Sequence, residues 1–134
     1  MKFPQFHKSL ETLHYGTEKP RAYFIPYDDL QDALSGDRNS SYYLTNLCGE
    51  WSFKFYNSFE DIGEDFLAAD FADTIPVPKC WQTQLGKGYD VPLYSNLFYP
   101  FPLDPPYVPD ENPAGHYNRK FNITKKDGKK YFIN

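Results

Sequence analysis

This sequence lacks most of what a membrane, metal or nucleic-acid protein needs. Charged residues make up 24% of it, and no run approaches the roughly 20 apolar residues of a membrane span. The opening Met1-Lys2-Phe3-Pro4-Gln5-Phe6-His7 has no apolar signal core, so a cytoplasmic protein with no membrane partner is expected. Cysteine is scarce: Cys48 and Cys80 lie far apart and form no C-x-x-C pair, which excludes a zinc knuckle or dithiol motif. In a reducing compartment both are expected as free, buried, small hydrophobes. His7, His14 and His116 have no metal-ligand spacing and read as solvated or hydrogen-bonded side chains. Positive charge is not in excess either, with 14 Lys and Arg against 18 Asp and Glu, a net charge of -4. Without a cationic surface to neutralise phosphates, no nucleic-acid partner is expected. Internal repeats and low-complexity tracts are absent.

What the chain has is aromatic rings, at 19%, and 12 prolines in 134 residues. Aromatic strands joined by proline-stiffened loops fit this composition, whereas disordered chains are poor in aromatics. The length suits one domain or a piece of one. Residues 1–45 read as an extended arm with one short helix over 27–34, capped by Asp28, with Gln31 three residues on and Gly36 past its end. Residues 46–134 read as the domain proper. Trp51, Phe53 and Phe55 alternate with Ser52 and Lys54, as in a half-buried strand with Trp51 in the core. Asn57 and Ser58 cap a helical turn that carries Phe59, Ile62 and Phe66 at helical spacing, with Glu60 and Asp61 at its start. Residues 74–78 are extended, and Pro76 and Pro78 confine them to an edge or a strand end. Residues 94–113 form a loop holding six prolines interleaved with Phe98, Tyr99, Phe101 and Tyr107. Tyr117, Arg119, Phe121 and Ile123 share one face of a further strand, and Asp127-Gly128 predicts a hairpin turn into a partner strand over 130–134. The bases Arg119, Lys120, Lys125, Lys126, Lys129 and Lys130 read as the solvated ends of that hairpin. Four such strands are too few to close a two-layer sandwich, so the expected all-β domain is incomplete at its C-terminal end.

Several ordered segments resemble the start of the large bacterial β-galactosidases of glycoside hydrolase family 2. They are Leu47-Cys48-Gly49-Glu50-Trp51-Ser52-Phe53, Ile75-Pro76-Val77-Pro78-Lys79-Cys80-Trp81-Gln82, Gly88-Tyr89-Asp90-Val91-Pro92-Leu93-Tyr94-Ser95-Asn96, Tyr99-Pro100-Phe101-Pro102, Pro105-Pro106-Tyr107-Val108-Pro109 and Glu111-Asn112-Pro113-Ala114-Gly115-His116-Tyr117. Glu18-Lys19-Pro20-Arg21-Ala22-Tyr23 resembles the family's arm. The resemblance covers about residues 15–134. It departs at Cys48 and Cys80, where the family usually has Asn.

The resemblance implies a galactose-binding-like jelly-roll β-sandwich that binds sugar without catalysing its hydrolysis. Catalysis in the family belongs to a later TIM barrel, where two Glu carboxylates about 5 Å apart flank the scissile bond. No acid of this chain corresponds to either, so hydrolysis of β-D-galactosides, lactose among them, is not expected of the chain alone. Asn96, in Tyr94-Ser95-Asn96, matches the family's Asn that reaches the edge of the pocket and contacts the galactosyl group, and an amide suits sugar hydroxyls. A second contact, an Asp near a bound sodium, would lie past Asn134. Magnesium and sodium are implied for the full-length family, and no cofactor for this chain. Its implied partners are the β-D-galactoside, the remainder of the enzyme chain and other subunits. Other readings stay open: Asn96 as a turn residue, Trp81 as a core ring with its N–H bonded or a sugar-stacking one, the aromatic loop as a carbohydrate platform or a packing surface, and the chain as an independent carbohydrate-binding module.

Overall fold

The computed structural model describes residues 5–94 and 96–134. Its regular structure is mostly strand: β1 (Gly49–Tyr56), β2 (Asp73–Val77) and β3 (Ala114–Asn118) form one antiparallel sheet in the order β2-β1-β3. The remainder is one short helix, α1 (Leu30–Ser35), and several single 3₁₀ turns. β1 is central because its sequence can bury both faces. In register, Trp51 lies opposite Ile75, and Phe53 lies between Asp73 and Tyr117. Phe53 and Ile75 are 0% exposed, and Tyr56, on the other face, is 9% exposed. The expected strand forms, but burial along it does not alternate. Trp51 and Phe55 are half-buried like Ser52 and Lys54, and Tyr56 is buried on the other face, so Trp51 is not the core ring expected. β2 is an outer strand, as its prolines predict.

The chain leaving β2 folds back over the face that carries Phe53. Trp81, in a turn over Trp81–Thr83, packs near Phe53 and Phe55, with ring centres 6.2 Å from each. Tyr117 and Tyr89 close on Phe53 at 4.8 and 5.1 Å. This cluster dictates Gly115: a Cβ there would stand 2.5 Å from the Trp81 ring and 2.9 Å from the Phe53 ring.

Residues 5–45 are held by contacts among themselves and to the turn after β1. Buried Ser41 donates to the Pro26 carbonyl at 2.7 Å and accepts from the Tyr43 amide at 3.1 Å, so its polar group is satisfied. Nearer the start, His7 packs on Phe59 with ring centres 4.2 Å apart.

Several expectations shift. Helix α1 is capped by Asp29, whose carboxylate accepts from the Asp32 amide at 2.9 Å. Asp28 instead accepts a hydrogen bond from the Tyr43 hydroxyl at 2.7 Å. Gly36 ends the helix in the left-handed region, at φ 69°. The helical turn after Ser58 breaks into two 3₁₀ turns, Phe59–Asp61 and Phe66–Ala68; Ser58 and Asp61 form a capping box on the first.

The third strand lies earlier than expected, over Ala114–Asn118, so only Tyr117 of the predicted face is in it. Arg119 turns out of line to donate to the carbonyls of Cys48 and Glu50 at 3.2 and 3.4 Å. The turn at Asp127-Gly128 forms, with Lys129 N–H on the Lys126 carbonyl at 3.3 Å, but no strand follows it among the described residues. Lysines on both sides of the turn repel across such a ladder. Lys126 and Lys129 instead sit over the Tyr42 and Tyr43 rings at 4.3 and 5.3 Å, a docked rather than a merely solvated run. Cys48 and Cys80 are free as expected but exposed, because both lie in chain reversals at the strand ends rather than under the sheet.

Candidate functional site

A long loop lies beside the sheet. Residues 94 and 96–113 hold no helix or strand. Proline fixes φ and so reduces the entropy lost when such a loop is held in place. Asn96 stands exposed in a turn at this loop's start. Tyr94, Phe98, Tyr99 and Tyr107 are exposed with it, Phe98 by 82%. Tyr99 and Phe101 meet edge to face, with centres 5.6 Å apart.

Both feet of the loop are fastened. Upstream, the Asp73 carboxylate at the start of β2 accepts from Lys87 Nζ at 2.9 Å and from the Tyr89 hydroxyl at 2.8 Å. These two hydrogen bonds, Lys87 first, hold the Asp73 carboxyl below its ordinary value. Burial, reinforced by the Asp73 carboxylate, pushes the Tyr89 phenol up to about 12. Downstream, Asp110 accepts from Lys8 Nζ at 2.7 Å, and the same ammonium reaches Glu60 at 3.3 Å. The Asp110 hydrogen bond is the main cause that raises Lys8, and Lys8 in turn lowers Asp110. Exposed ion pairs of this kind contribute little by themselves. A backbone bond from Phe59 N–H to the Asn112 carbonyl, at 2.7 Å, reinforces this foot. Arm, turn and loop thus meet within a few residues.

Beside the upstream foot lies an open groove of about 440 Å³, lined among others by Phe55, Asp70, Asp73, Lys87 and Tyr89. No local sequence pattern announced it: Asp73 and Lys87 are 14 residues apart and meet only because the chain folds back over β2.

The structure places the other sequence candidates as follows. Trp51 donates its indole N–H to the Leu47 carbonyl at 2.7 Å, a structural bond. Trp81 packs in the aromatic cluster, but its buried Nε1 has no hydrogen-bond partner among the described residues, contrary to the expected bonded core ring. His116 is likewise neither solvated nor bonded at Nδ1: it packs against Phe71 at 4.8 Å, and its Nδ1 is buried without a partner among the described residues. Burial, then the nearby Lys54 ammonium, lowers its pKa. Among the described residues no group of three or more His, Cys, Asp and Glu is placed to hold a metal ion. The magnesium and sodium implied for the full-length family thus find no ligand set there. No helix among the described residues is long and apolar enough to cross a membrane.

Comparison with known proteins matches residues 44–133 to the family described as glycosyl hydrolases family 2, sugar binding domain. A β-galactosidase of Actinobacillus pleuropneumoniae is 42% identical over 134 residues, covering 100% of this chain and 13% of that protein. One from Staphylococcus xylosus is 39% identical over 124 residues, covering 92% of this chain and 12% of that protein. One from Pectobacterium atrosepticum is 46% identical over 82 residues, covering 60% and 8% respectively. The chain therefore spans only about an eighth of the length of the first two relatives.

Proposed function

The chain belongs to the glycosyl hydrolase family 2 sugar-binding domains, and from that premise we propose that it serves a β-galactosidase as a non-catalytic element that shapes one edge of the galactoside pocket. The observation that carries this reading is the loop: Asn96 stands exposed on a proline-rich segment whose two feet are pinned to the sheet and the arm. An amide offers two donors and an acceptor to vicinal sugar hydroxyls, and a loop held in advance loses less entropy on binding. Bond cleavage belongs, in this reading, to the longer part of the polypeptide, together with any metal ions. The β-D-galactoside, that remaining polypeptide and further subunits are the partners proposed.

The same reading makes residues 46–134 a jelly-roll sandwich whose second layer comes from the rest of the enzyme, with residues 1–45 as an arm for assembly. The support is physical. Against a buried apolar core of Phe53, Tyr56 and Ile75 stand exposed rings such as Tyr94, Phe98, Tyr99 and Phe121. A binding module that works alone would not leave so much apolar surface in water. The cytoplasm is the proposed compartment.

The test is complementation. A β-galactosidase lacking the matching segment is mixed with micromolar chain, and turnover of a β-galactoside is measured. Activity is expected to rise. The Asn96→Ala chain is expected to restore kcat with KM raised roughly three- to tenfold, since one sugar hydrogen bond contributes about 0.5–1.5 kcal/mol. No gain with the unaltered chain sinks the proposal.

A further inference from the structure

The groove beside β2 is separate from Asn96 and has its own chemistry. Its lining carries the carboxylates of Asp70 and Asp73 and the ammonium of Lys87, whereas the Lys54 ammonium lies over the Tyr56 ring at 5.4 Å on the other face of β1. An anion would meet two carboxylates there, and the charge of Asp73 is already met by Lys87, so the groove suits a neutral ligand that bridges this pair. Its polar groups are nevertheless strong. Asp73 presents two carboxylate oxygens and uses one for Lys87 and one for Tyr89, each of which can accept again. Lys87 has three N–H donors and gives one to Asp73, with its side chain 48% exposed. A carboxylate and an ammonium 2.9 Å apart form an acceptor–donor pair that two adjacent hydroxyls can bridge. One wall is apolar, formed by Tyr89 and Phe55 with ring centres 5.4 Å apart. At about 440 Å³ the space is in the range of small-ligand sites, which combine apolar walls with a few placed polar groups.

We propose that this groove is a second saccharide subsite, in which the Asp73–Lys87 pair engages vicinal hydroxyls and the Tyr89–Phe55 wall meets the apolar face of the sugar ring. The ligand class rests on the sugar-binding reading above; the position does not, since the groove shares no residue with the Asn96 turn. It is a subsite for a neutral, polyhydroxylated ligand, with the millimolar affinity of an open surface site. Lys87→Met removes the donor and Asp73→Asn removes the charge while keeping the acceptor, and neither empties a buried position.

Titration of the labelled full chain with galactose and with lactose, followed by amide NMR up to about 100 mM and so past a millimolar Kd, tests it. Shifts are expected at Gly88 and Tyr89, weakened at least fivefold in Lys87→Met and persisting in Asn96→Ala. Tyr89→Phe, which deletes one hydroxyl, gives a second variant for the same comparison. Shifts confined to the Asn96 turn overturn the groove and leave the Asn96 reading standing. Groove shifts without complementation overturn the Asn96 reading and leave the groove. No shift at Gly88 or Tyr89 with either sugar overturns the groove outright.

Discussion

Gly115 shows how narrowly single residues are constrained here. It looks like a loop residue, yet it sits in β3 opposite Phe55, directly under the Trp81 ring. Gly115→Ala would force its methyl to within 2.5 Å of that ring. Overpacking of this kind costs about 1–3 kcal/mol, and the expected lower urea midpoint checks it. An unchanged midpoint would mean that Trp81 yields freely. The exposed turn at Asn96 was legible from the segment around it, because turn-forming residue types act locally. The Cys48 and Cys80 thiols were not: their exposure depends on which way the chain turns at two strand ends. Asp73, Lys87 and Tyr89 are ordinary residues in sequence and acquire a joint role only by meeting.

At the scale of elements, β1 was the most legible, because alternation of large rings with Ser52 and Lys54 is itself the half-buried strand. α1 was legible to within three residues, expected over 27–34 and found over Leu30–Ser35. Two adjacent aspartates precede it, and tertiary contact decides between them, since Asp28 is engaged by Tyr43 and Asp29 is left to cap. Asp29→Ala is therefore expected to cost about 0.5–2 kcal/mol of helix stability, read as lost helical carbon shifts over residues 30–35. Asp28→Ala is expected to leave those shifts in place, and the reverse pattern would refute the assignment. The predicted strand after Asp127-Gly128 failed for electrostatic reasons. A two-stranded hairpin is marginal alone, lysines flank its turn, and the Tyr131 hydroxyl takes the Lys126 amide at 2.8 Å that a ladder would have used. β3 began early because Gly115, a poor strand former by propensity, fits beneath Trp81.

Across the whole molecule, pH reports how the sheet is covered. Burial and Lys54 lower the folded pKa of His116, while the unfolded chain protonates near 6.5. The unfolded state thus binds more protons on acidification, so this contribution is fully present above about pH 6.5 and is lost as pH falls toward the folded value. The melting temperature is expected to drop as pH is lowered through this window, and His116→Leu, which cannot be protonated, is expected to flatten that slope. An equal slope in the variant would place the effect elsewhere. Asp73 acts in a lower window. Its depressed folded pKa stabilises above the unfolded value near 3.9, and that stabilisation fades as pH falls further.

The sequence by itself determined the strand-rich class, the central strand, the edge position of the proline-bearing strand, the loop, and the family to which the chain belongs. Each of these depends on spacing, composition or order along the chain, which short-range sterics and hydrophobic patterning read directly. Only the tertiary structure decided that the chain after β2 returns over Phe53, that Gly115 lies beneath Trp81, and that Asp73 joins Lys87 and Tyr89 at the rim of a groove. Those pairings join residues far apart in sequence. Their free energy comes from close packing and from charges brought together, and neither exists until the sheet has formed.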